Sequence, residues 1–144
     1  MEQSRYANAI FCDDVRMEVG NKMSLMGIYQ SQMIVPTLPV TIQKLCVFAS
    51  ATTDINTPFE KVEFTIKNNE DIIGKLIIDN DGIETQKIHI TEKDEWESEQ
   101  PTITAEAVLT IKQLIIDQPS RIEVLVETEN EILRAGVLRI LPKK

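Results

Sequence analysis

The sequence predicts an all-β chain, a two-layer antiparallel β-sandwich of immunoglobulin-like or C2-like type with about nine strands. Three observations predict it. Apolar residues recur at every second position or in short continuous runs, turn residues separate those runs at intervals of roughly 8–12 residues, and helical periodicity is almost absent. A length of 144 residues fits one domain spanning 1–144, and 42% hydrophobic with 26% charged residues is an ordinary globular balance.

The first element is a hairpin from Phe11 to Tyr29. A three-residue loop, Gly20-Asn21-Lys22, is expected to bring Val19 over Met23 and Met17 over Leu25, with Lys22 in a left-handed conformation. Burying four apolar side chains at ~1.5–3 kcal/mol each outweighs an unsuitable turn residue. Pro36 and Pro39 bracket a loop or edge strand, and Val40 to Thr53 follows. Within it Leu45-Cys46-Val47-Phe48-Ala49 is apolar on both faces, the pattern of a central strand.

Val62, Phe64 and Ile66 then alternate cleanly, and Asn68-Asn69-Glu70-Asp71 turns the chain into Ile72 to Ile78. Asn80-Asp81-Gly82 turns it again into Ile83 to Thr91; Thr102 to Ile111 and Leu114 to Ile116 come after an acidic loop. The last hairpin places Ile122, Val124 and Val126 on one face, with Leu133, Ala135 and Val137 beside them after a two-residue loop around Glu129-Asn130-Glu131.

Charge narrows the partners. A net charge of −8 opposes nucleic acid and anionic membrane surfaces, and the fifteen Lys and Arg are scattered. The N-terminal residues show no secretory pattern, and no apolar stretch approaches the ~20 residues of a membrane helix, so a cytoplasmic location is expected. There Cys12 and Cys46 stay reduced; a disulfide between them needs facing positions on neighbouring strands.

No residue set has catalytic spacing. His89, the only histidine, falls on the polar side of an alternating run without a partner for general-base work, so no enzymatic activity is expected. Asp79-Asn80-Asp81-Gly82 begins like a calcium loop, but the twelfth position counted from Asp79 is Ile90, where a bidentate glutamate belongs. A hairpin turn is the stronger reading, and Asp79 and Asp81 remain the candidate ion ligands.

The acidic segment 92–99 holds Trp96, flanked by Asp94, Glu95 and Glu97. A solvated loop with Trp96 folded back on the sandwich is the plain reading, and a partner-binding loop anchored by Trp96 the functional one. Met17, Met23, Met26 and Met33 cluster early in the chain; they suit core filling, while Met26 on the outer face would mark an exposed patch.

The run Phe11-Cys12-Asp13-Asp14-Val15-Arg16, then Glu18-Val19-Gly20-Asn21-Lys22, Ser24-Leu25 and Gly27-Ile28-Tyr29, resembles the opening of an uncharacterised bacterial family. The resemblance implies a small β-sandwich and no activity. The function expected is a non-enzymatic cytosolic protein-binding or assembly module, with a protein partner or self-association through a loop end or sheet edge and no cofactor. The alternatives are a calcium-dependent C2-like membrane or ligand module, or a structural component of a phage-like or secretion assembly.

Overall fold

A computed structural model describes residues 5–78 and 102–144. Alternation sorts these residues into nine strands: β1 (Tyr6–Glu18), β2 (Lys22–Tyr29), β3 (Gln32–Val35), β4 (Val40–Asp54), β5 (Val62–Asn68), β6 (Asp71–Ile77), β7 (Thr102–Ile116), β8 (Ser120–Thr128) and β9 (Ile132–Pro142). They form a four-stranded sheet in the order β2-β1-β4-β7 and a five-stranded sheet in the order β3-β9-β8-β5-β6. The fold is an all-β sandwich. No helix among the described residues is long and apolar enough to cross a membrane.

The core lies between the sheets. Phe11, Leu45, Val47, Ala49 and Leu109 face inward from the four-stranded sheet, and Val62, Phe64, Ile66, Ile122, Val124, Val126, Leu138 and Ile140 from the other. The run expected to be a central strand is one: β4 pairs with β1 on one side and β7 on the other. Small residues let the layers approach, since a Cβ on Gly136 would stand 3.2 Å from the Ala9 Cβ.

Four details depart from the sequence reading. The first hairpin has a three-residue loop, but it is Val19-Gly20-Asn21, with Glu18 opposite Lys22 and Met17 opposite Met23. Gly20 (φ 91°) and Asn21 (φ 57°) take the left-handed conformations, residue types that tolerate them better than lysine, so Lys22 stays in the strand and Val19 sits in the loop. Val137 does not join Leu133 on the inner face, because a bulge shifts the register between Val124 and Leu125 and turns Gly136, Leu138 and Ile140 inward instead. The segments 102–111 and 114–116 are one strand, β7, with Gln113 at φ 53° where the buried positions change from Ala107 and Leu109 to Leu114 and Ile116. The sandwich also carries one parallel pairing, edge strand β3 on β9, which ends at Val35 before Pro36.

A polar tie closes one end of the sandwich. Arg5, just before β1, grips Glu129 in the β8–β9 turn with two hydrogen bonds of 2.7 and 2.8 Å. Its Nε donates to Thr53 Oγ1 at 3.0 Å, and the guanidinium lies 4.8 Å from the centre of the buried Phe59 ring. Burial alone would raise the Glu129 carboxyl, but Arg5 and the backbone N–H groups of Glu60 and Glu129 together hold it below its ordinary value of 4.5. A depressed folded pKa stabilises the protein above about pH 4.5 and loses that contribution as pH falls through the folded value. Both side chains are largely buried, so Glu129→Gln is expected to cost about 3 kcal/mol in urea unfolding at pH 7, leaving Arg5 under-compensated. The same substitution should flatten the stability–pH curve below pH 4.5; an unchanged curve would show that another carboxylate governs it.

Candidate functional site

The β1–β2 hairpin is where apolar side chains and open backbone coincide. β1 pairs with β4 from Tyr6 opposite Thr52 to Cys12 opposite Cys46, where that ladder ends, whereas its pairing with β2 runs on from Phe11 to Glu18. Beyond Cys12 the hairpin therefore continues without backbone pairing to β4. At the departure point Gly27 has φ +67°, and a Cβ there would overlap the Asp13 carboxylate. Asp13 Oδ1 accepts a 2.5 Å hydrogen bond from Tyr29 Oη, and burial together with that bond pushes the Tyr29 phenol up to about 12. Asp14 is bound to Lys44 Nζ at 2.5 Å and to the Val15 N–H at 3.0 Å. The acidic pair thus braces the base of the hairpin.

At the tip, Met17 is 74% and Val19 94% exposed. Val15, Met23 and Leu25 are half-buried, so the expected burial of four apolar side chains is met in part only. Met26 and Ile28 are exposed on β2, placing Met26 outside as the sequence suggests. Met17, Asn21 and Met23 share a cleft of about 260 Å³ with Phe48, Glu106, Ala107 and Val108, so the tip reaches over the outer face of the four-stranded sheet. Among the described residues β2 is paired with β1 alone, leaving its other edge open.

The two cysteines lie on this outer face, directly opposite each other, yet both are buried and free. Burial, and then the neighbouring Cys46, raise the Cys12 thiol; its Sγ donates to the Asp14 carbonyl at 3.5 Å. Such thiols are poor nucleophiles. The outer face of the five-stranded sheet is different in kind, a lattice of ion pairs that includes Lys75–Glu63 at 2.7 Å and Lys61–Glu127 at 3.3 Å.

Residues 7–141 match the family model described as "Family of unknown function (DUF6941)". The chain belongs to this family. The DUF6941 match runs from β1 to β9 and so takes in the whole sandwich together with the hairpin. No curated protein matches the chain. The DUF6941 assignment brings no activity with it, so the site rests on geometry.

The sequence-predicted partner residues Asp94, Glu95, Trp96 and Glu97, the candidate ion ligands Asp79 and Asp81, and His89 all lie outside the described residues. Among the described residues no group of three or more His, Cys, Asp or Glu side chains could hold a metal ion. Sequence reasoning noted Met26 but missed the open edge of β2 and the exposed pair Met17 and Val19. The signal was the Gly20-Asn21 dipeptide, whose left-handed preference pushes Val19 out of the strand. It also left open whether the cysteines face each other, which only the β1–β4 register decides.

Thiol titration with an aromatic disulfide reagent checks this arrangement. The native protein should react slowly at both cysteines and the urea-unfolded protein rapidly at both. Rapid native reaction would mean that the hairpin base opens freely.

Proposed function

We propose that the protein is a non-enzymatic binding module that captures an extended segment of a partner protein along the open edge of β2, with the hairpin tip as apolar anchor. The observation that carries this reading is the pairing of Met17 and Val19, both strongly exposed, with a strand edge free of partners among the described residues. A solvated turn gains nothing from a bare valine and methionine, while an interface core uses both. An added strand supplies main-chain hydrogen bonds, and Met26 and Ile28 supply alternate-position side-chain contacts along the same edge.

Charge selects the kind of occupant. Two copies of a chain at −8 repel each other, which favours a different protein whose docking segment is neutral or basic. The hydrophobic tip gives affinity and the net negative charge of the chain raises the on-rate of a basic partner.

Val19→Asp and Ile28→Lys test the site. Both residues are exposed, so each variant should keep its stability within about 0.5 kcal/mol. A protein recovered by the wild-type chain from lysate of its native host should bind each variant at least about tenfold more weakly. Equal recovery by both variants would remove the hairpin from the account. A wild-type dimer at micromolar concentration that Val19→Asp dissociates would replace the separate partner with a second copy.

A further inference from the structure

A second feature stands on the opposite sheet and owes nothing to the hairpin. Arg121 on β8 and Arg139 on β9 are directly opposite in the antiparallel register, and Gln32 on β3 is opposite Arg139 on its other side. Like charges placed opposite each other on a sheet repel and destabilise it. The chain has 23 Asp and Glu against 15 Lys and Arg, so an acidic neighbour would be the easy choice here. The structure instead concentrates cations. Glu123 is shared, its Oε2 lying 3.1 Å from Arg121 Nη2 and 2.9 Å from Arg134 Nε. Arg139 forms no ion pair among the described residues.

These arginines open onto a surface depression of about 380 Å³ lined by Ser31, Gln32, Arg121, Val137 and Arg139. Its floor is fixed by backbone. The Arg139 N–H donates to the Ser31 carbonyl at 3.0 Å, and the Arg121 N–H donates to Asn69 Oδ1 at 3.0 Å. The β9 bulge that turned Val137 away from the core delivers it to this depression, the only apolar side chain lining it among the described residues.

We infer that the Arg121–Arg139 depression is a binding subsite for a small molecule carrying a phosphate or carboxylate group. Guanidinium forks pair two oxygens of such groups at once, and an anion between the two arginines converts their mutual repulsion into attraction. The Ser31 hydroxyl and Gln32 amide supply neutral donors, and Val137 supplies a wall for the uncharged part of the ligand. The site explains why a strongly acidic chain keeps an arginine without an ion-paired carboxylate among the described residues.

Amide-resolved NMR titration at about 150 mM salt, with ionic strength held constant, tests the subsite. Pyrophosphate and citrate are the probes, one for each oxyanion type. At least one should shift the Ser31, Gln32, Arg121, Val137 and Arg139 amides saturably, with a dissociation constant near or below about 1 mM. Arg139→Gln and Arg121→Gln should each weaken that binding at least about tenfold, while Lys75→Gln, whose cation is held by Glu63 elsewhere on the sheet, should not. The stronger probe identifies phosphate or carboxylate as the preferred group. Shifts that rise without saturating, or equal affinity in Arg139→Gln, would overturn the inference.

Discussion

The rest of the structure depends on β1 serving two neighbours over different lengths. Its first half is an interior strand of the four-stranded sheet, held by β4 through Cys12. Its second half belongs to the hairpin alone. Because each ladder fixes the side-chain alternation, Phe11 must enter the core while Cys12 turns to the outer face. The bend at Gly27 and Asp13 then decides where the hairpin goes. The tip reaches over the outer face beside Phe48 and Val108, and its Met17 and Val19 are left in water.

Electrostatics divides the surface by function. The Arg5–Glu129 tie is structural, joining the start of β1 to the β8–β9 turn through two largely buried side chains. The Lys75, Lys61, Glu63 and Glu127 lattice is balanced, with its lysines and Glu127 exposed around the covered Glu63, and such surface pairs contribute little to stability each. The arginine depression is unbalanced, and the imbalance is its information. A neutral lattice needs no ligand, whereas opposed cations leave a site for one.

Much of the fold was legible because burial writes a period of two into the sequence. β5 and β8 follow it without interruption, and both were placed from Val62, Phe64, Ile66, Ile122, Val124 and Val126 alone. Bulges erased the signal locally. Val137 reads as inward by counting from Leu133, and one extra residue near Ala135 reverses the count. The parallel β3–β9 pairing involves four residues at an edge, too few to carry a pattern. Long-range polar contacts left no trace at all, as Arg5 and Glu129 are 124 positions apart. The acidic, tryptophan-bearing segment is an anomaly of composition, whereas the hairpin site arises from register and exposure, which composition does not encode.

The most direct test of the account is amide hydrogen exchange along β2 in the free protein. An open outer edge predicts alternation from Lys22 to Tyr29: amides bonded to β1 should be protected, and those pointing away should exchange at rates close to an unstructured chain. Addition of the captured partner should then protect the outward set. Uniform protection in the free protein would mean that the edge is already paired, and the proposed docking strand would have no place to bind.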